Sequence, residues 1–153
     1  MAQMELDEIF YAALTSDSNV TAIVPKERIK STCFEVSPEK NDNTPIPYII
    51  VTYDGFQNQN TTKDDLWEGD EDRVQVSVEV AAVKPNDVKG IIRLVRKSIQ
   101  TYMTNLYEDR QKTPQLESLS SDGIAWDWLK PCYYQRLTYQ CTTQSDIDDE
   151  QES

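Results

Sequence analysis

The stretch Arg73-Val-Gln-Val-Ser-Val-Glu-Val80 decides the fold, because valines at 74, 76, 78 and 80 alternate with polar residues. A period of two sends successive side chains to opposite faces, so this reads as a strand with one buried face, and the β-branched valines suit its pleat. Lys84-Pro-Asn-Asp87 breaks the alternation, with Asn86 or Asp87 the expected helix cap. From Val88 the period changes: Val88, Ile91, Ile92, Val95, Ile99 and Tyr102 fall on one side of a helix. A strand that runs straight into an amphipathic helix folds back and buries both apolar faces. Residues 73–104 are therefore the expected core, with Val76, Val78, Ile92 and Val95 buried between strand and helix.

Towards the N-terminus, residues 2–15 read as a first helix with Ala2, Leu6, Ile9, Phe10, Ala13 and Leu14 on one face. Glu5, Asp7 and Glu8 lie in its early turns, where the macrodipole favours negative charge. Thr15-Ser-Asp-Ser-Asn19 ends it, and residues 20–24 form an apolar turn or helical piece closed by Pro25. A weak strand signal spans 27–36 through Ile29, Cys33, Phe34 and Val36, followed by polar, turn-rich residues 37–44. Pro45-Ile-Pro47 stiffens the approach to Tyr48-Ile-Ile-Val-Thr-Tyr53, a strong strand that Asp54-Gly55 is expected to end.

Residues 57–72 read as an exposed, mobile loop carrying Asp64, Asp65, Glu68, Asp70, Glu71 and Asp72. The spacing does not match a calcium-binding loop, since Gly69 is out of register with the acids, so a solvated acidic loop is expected. After the second helix, residues 107–123 are mixed and polar. Trp126 and Trp128, two apart, share a face if that segment is extended. A last strand spans 133–143, with Tyr133, Leu137, Tyr139 and Cys141 on one face. The expected fold is α+β: a mostly antiparallel sheet of about four or more strands with two main helices packed on it. Residues 1–143 form one domain, and 144–153, with five acids and a lone Ile147, form a disordered acidic tail.

Composition narrows the function. The 153 residues suffice for a single core, and 38% hydrophobic with 27% charged residues indicates a soluble chain. No apolar run approaches the roughly 20 residues that span a bilayer, so no membrane partner is expected. The N-terminus lacks the basic start and apolar run of a secretory signal, and Cys33, Cys132 and Cys141 form no close pair, which points to reduced thiols. A net charge of −12 argues against binding nucleic acid through its phosphates. The absence of histidine removes the commonest general base and zinc ligand, so no enzyme, cofactor or metal is expected.

The order of these segments resembles the tail completion, or tail terminator, proteins of long-tailed phages and prophages. The resemblance covers residues 4–104. It is carried by the short N-terminal helix, the 20–24 piece, Arg28-Ile29, Ile46-Pro47-Tyr48-Ile49, Gly55, Arg73-Val-Gln-Val-Ser-Val78 and Val95-Arg96 in the long helix. It implies an α+β subunit of a ring, typically of six, at the head-proximal end of the tail tube. There the ring stops tube growth and offers a surface to the head connector. The implied partners are further copies of the chain, the tail tube protein and the head connector protein, with DNA passing through unbound. The implied location is the virion tail or neck, assembled in the bacterial cytoplasm. Residues 105–123, the Trp126/Trp128 pair and the acidic tail depart from the pattern, which leaves another neck component of similar fold open. Two unrelated readings stand beside it: an acidic binding module that mimics DNA, and a carboxylate-dependent enzyme using the acids of 64–72.

Charge layout suggests how copies meet. Residues 63–73 hold six acids against Lys63 and Arg73, whereas 84–97 hold Lys84, Lys89, Arg93, Arg96 and Lys97 against Asp87. Lys89, Arg93, Arg96 and Lys97 gather in one polar sector of the second helix. The candidate interface sets this sector against Asp64, Asp65, Glu68, Asp70, Glu71 and Asp72 of the next subunit. A solvated helix face beside a solvated loop is the plainer alternative.

Overall fold

The computed structural model describes residues 5–32, 46–59, 71–109 and 115–144. The valine-rich stretch is the middle of strand β3 (Glu71–Ala82), which turns at Val83-Lys84 into the long helix α3 (Pro85–Asp109). Val74, Val76, Val78, Val80 and Ala82 are all buried, as are Val88, Ile91, Ile92, Val95, Ile99 and Met103 on the facing helix. The change of period from two to 3.6 at this turn is thus what folds the chain back onto itself.

Around this unit the sheet runs in the order β1-β2-β3-β6-β4, with β5 also paired to β6. Here β1 is Ile29–Ser31, β2 Tyr48–Gln59, β4 Gln115–Ser121, β5 Ala125–Asp127 and β6 Cys132–Gln144. Among the described residues only β1 pairs parallel with its neighbour, and every other pairing is antiparallel. The architecture is the expected α+β one. Helix α1 (Leu6–Ser16) lies on the same face as α3, and Leu6, Ile9, Phe10, Ala13 and Leu14 complete the core. A four-residue helix α2 (Ser18–Thr21), capped by Asp17, occupies the expected apolar piece and buries Val20. On the opposite face Tyr48, Ile50, Ala81 and Cys132 form a second, smaller cluster.

Polar groups tie the layers at two points. The Ser98 hydroxyl on α3 donates to the Ala13 carbonyl of α1 at 3.0 Å. Thr32, just past β1, accepts from Tyr53 N at 2.8 Å and donates to Asp7 at 2.8 Å. Asp7, expected in an early turn where the helix dipole favours negative charge, is buried there, and this bond to Thr32 anchors α1 to the sheet.

Several expectations are corrected. Helix α1 starts at Leu6, with Glu5 in an extended conformation, so the start at residue 2 does not hold. Neither Asn86 nor Asp87 caps α3: Pro85 is its first residue, suited there because proline lacks an N–H, and the Lys84 carbonyl accepts from Asp87 N and Val88 N. Asp54-Gly55 does not end β2. The register shifts between Tyr53 and Gly55, Gly55 takes φ +116°, and the ladder resumes at Gly55↔Gln75 and runs on to Gln59↔Glu71. A bulge absorbs the extra residue, Asp54, and the strand continues. Residues 57–59 and 71–72, assigned to the loop, are therefore strand, and 60–70 lie outside the described residues. The stretch 107–123, read as mixed and polar with no element assigned, holds the end of α3 at Asp109 and β4 at 115–121. The residues of the acidic tail beyond Gln144, and Ala2, Cys33, Phe34 and Val36, lie outside the described residues. Cys132 and Cys141 are buried, and among the described residues neither forms a disulfide.

Candidate subunit interface

Lys89, Arg93, Arg96 and Lys97 are all exposed on the side of α3 turned away from its apolar stripe. Among the described residues no ion pair involves any of them. Lys89, Arg93 and Lys97 follow one another at intervals of four, a spacing that puts like charges side by side and mildly opposes the helix. Arg96 sits at the edge of this sector, towards the sheet, and lines a groove described below.

The acidic half of the candidate interface is placed only in part. Asp64, Asp65, Glu68 and Asp70 lie outside the described residues, and Glu71 is the first residue of β3. Asp72 is not a loop residue: half-buried in β3, it accepts from Asn58 Nδ2 at 2.8 Å across the hairpin. Arg73 pairs with Glu117 at 2.7 Å, and Glu117 also accepts from Thr142, so three neighbouring strands are clamped together. Asp72 is thus engaged within the sheet and does not meet the basic sector of the same chain.

Two apolar surfaces stand out among the described residues. The first is a groove of about 390 Å³ between the C-terminal half of α3 and the outermost strand β4. Phe10, Ile99, Met103, Leu119 and Cys141 line it; Leu116, on its β4 side, is 50% exposed, and Arg96 adds a positive charge. Tyr139 lines it too, meeting Phe10 edge to face at 4.8 Å. The Tyr139 hydroxyl is buried with no hydrogen-bond partner among the described residues. Burial pushes its pKa well above the ordinary value, and the Arg96 charge opposes this in part. Nothing in the polar-looking stretch 115–121 announced a strand edge, so the groove could not be foreseen.

The second surface is the turn between β5 and β6. Trp128 and Leu129 are 89% and 85% exposed. Asp127 shapes the turn by accepting from Leu129 N at 3.0 Å and Lys130 N at 3.3 Å. The extended segment that would align the two tryptophans stops at Asp127, so Trp128 stands in the turn and meets Trp126 edge to face at 6.3 Å.

The buried polar residues behave as structure. The Tyr48 hydroxyl donates to Glu79 Oε2 at 3.0 Å, and Arg136 contacts Glu79 Oε1 at 3.2 Å. Burial, then the Glu79 charge, raises the Tyr48 pKa, which keeps the phenol protonated as a donor. Among the described residues no group of three acids or cysteines is placed to hold a metal ion. No described helix is long and apolar enough to cross a membrane.

No protein-family model matches the chain, and no curated protein matches it. A solved structure, "Virion of native gene transfer agent (GTA) particle", contains a chain that superposes with a TM-score of 0.45 at 10% identity, over 92% of this chain and 95% of that one. Nothing about this chain's function follows from a superposition that loose.

Proposed function

We propose that this protein is a structural subunit of a virion, forming a ring that caps the head-proximal end of a phage tail tube and joins tail to head. The observation that carries the reading is the exposed face of α3. Four cations that form no ion pair among the described residues stand on one helix of a chain whose net charge is −12. Such a face suits contact with acidic groups of a neighbouring copy, a heterologous contact that closes into a ring. The order of segments that resembles tail completion proteins supports the same reading. The surplus acid would line the lumen and keep DNA from sticking as it passes. The role is assembly and not catalysis, without metal or cofactor, in the tail or neck of the particle.

Reversing Arg93 and Arg96 together to glutamate tests this. Folding is expected to survive, because exposed charges contribute little to stability. Ring formation and head–tail joining are expected to fail, or to become strongly salt-dependent. A double variant that still joins heads to tails normally would refute the interface.

A further inference from the structure

Exposed apolar side chains gather at one end of the sheet. Val83 follows β3, Ile23 follows α2, and Trp126, Trp128 and Leu129 belong to β5 and its turn into β6. Of the large apolar side chains exposed among the described residues, only Phe56 and Leu116 lie elsewhere. The same end carries a hollow of about 300 Å³, lined by Ile23, Val83, Gly90, Ile91 and Leu94, and by Asn86 and Asp87 from the first turn of α3. The chain thus has both a projecting apolar knob, Trp128-Leu129, and an apolar hollow.

Knob and hollow share a level and stand on different flanks. Tyr133 of β6 pairs with Ala82 on one side and Trp126 on the other, so β5 and its turn lie on the flank away from β3. The hollow lies towards the other flank, where Pro47 precedes β2 and Val83 leads into α3. Rotation about a ring axis carries a patch sideways and leaves its level unchanged, so surfaces that meet around a ring share a level on different flanks. These two do so when the strands run along the axis. The knob is also held ready: Asp127 fixes the turn, and Trp126 packs edge to face on Tyr133 at 4.7 Å, so docking orders little that was free. A buried indole N–H needs an acceptor, and Asn86 and Asp87 supply one at the hollow. One indole buries about 150–250 Å², so with the walls it covers it provides roughly 300–500 Å² of the roughly 1,200 Å² that a specific interface needs. The adjoining basic sector of α3 provides the remainder.

We infer that the occupant is a second copy of this chain: Trp128 and Leu129 of one subunit insert into the hollow beside the N-terminal half of α3 of the next. The contact is heterologous, since knob and hollow are different surfaces, and it uses none of the four cations of α3. It rests on the reading of the chain as a ring subunit and names the apolar anchor of that ring.

Two variants of the full chain test it by sedimentation, with Arg93 and Arg96 left intact. Trp128→Ala removes the knob. Gly90→Leu fills the hollow, where a Cβ would meet nothing within 4 Å, and leucine is the better helix former, so folding survives. Buried tryptophans are common interface hot spots, so each variant alone is expected to self-associate at least about 30-fold more weakly than wild type. An equimolar mixture is expected to regain pairing at wild-type strength, because the knob of a Gly90→Leu copy still fits the hollow of a Trp128→Ala copy. Variants that form rings as wild type does would overturn the inference and leave the ring standing. A mixture as weak as either variant alone would overturn it too, because the two surfaces would not be partners. A wild-type chain that forms no ring would overturn both.

Discussion

Tyr48 at the start of β2 and Glu79 on β3 are joined by a 3.0 Å hydrogen bond on the sheet face away from the helices. Tyr48 is wholly buried and Glu79 is 6% exposed, so the bond is formed where water cannot replace it. Tyr48→Phe removes the donor and leaves the carboxylate with Arg136. Hydrogen bonds to charged groups contribute about 1.5–3 kcal/mol, and a loss in that range is expected from urea unfolding. A loss within the usual surface range of about 0.5 kcal/mol would show that the pair adds nothing.

Ile92 on α3 belongs to the core shared with β3 and is 7% exposed. Ile92→Ala is expected to cost about 2–5 kcal/mol, because the removed atoms leave a cavity that the sheet cannot fill. Lys89→Ala, one turn away on the exposed side, is expected to change stability by less than about 0.5 kcal/mol. Equal effects from the two would mean that the helix does not present its apolar stripe to the sheet.

The two substitutions also mark what was legible in the sequence. A stripe of valines and isoleucines reports its own burial, because periodicity is a local property that one window reveals. The α3–β3 core was readable for that reason, and so was the exposure of Lys89, Arg93, Arg96 and Lys97. Gly55 and Pro85 misled because each permits two outcomes. Glycine ends a strand or bulges it, and proline breaks a helix or begins one; tertiary pairing decides which. β4 was missed because an edge strand with only Leu116 and Leu119 has little apolar signal, and pairing with β6 supplies its order. The burial of Asp7 and Glu79 was not legible, since their partners Thr32, Tyr48 and Arg136 are distant in sequence.

Gly55 has φ +116° within the bulge, where a side chain is strained even though a Cβ would meet nothing within 4 Å. Gly55→Ala is expected to cost about 1–3 kcal/mol through backbone strain alone. Hydrogen exchange should locate the effect in the outer part of the β2–β3 hairpin, at Gln57 and Asn58, with Val51 little changed. Wild-type stability in the alanine variant would show that the bulge relaxes at no cost.

Alkaline pH should weaken the fold before any acid effect of these groups arises. Burial, with Glu117 adding to it, pushes the Cys141 thiol from 9.0 up to about 12. Tyr48 and Tyr139 are raised above their ordinary 10.0 by burial as well. The folded chain thus keeps protons that the unfolded chain releases. The stabilisation is complete below the unfolded pKa values and is lost as pH rises through about 9 towards the folded ones. Urea midpoints are expected to be level between about pH 7 and 8.5 and to fall steadily above about 9. Cys141→Ala should delay that fall until the tyrosines titrate. A midpoint constant to about pH 10.5 would contradict the burial of all three groups.

The basic sector of α3 should separate stability from assembly. Arg93 has Lys89 four residues before it and Lys97 four after, and Arg96 three after, with no ion pair among the described residues. Like charges at that spacing oppose a helix by at most about 0.5 kcal/mol per pair. Arg93→Gln removes the repulsion and keeps a good helix former, so the isolated subunit should be unchanged or slightly more stable. Added salt, which screens the same repulsion, should raise the wild-type melting temperature more than the variant's. Assembly should move the other way, because the glutamine no longer offers a charge to a neighbouring acidic surface. Head–tail joining measured at low and high salt checks this directly. A variant that gains stability and joins as well as wild type would show the cations to be a solvated face with no partner.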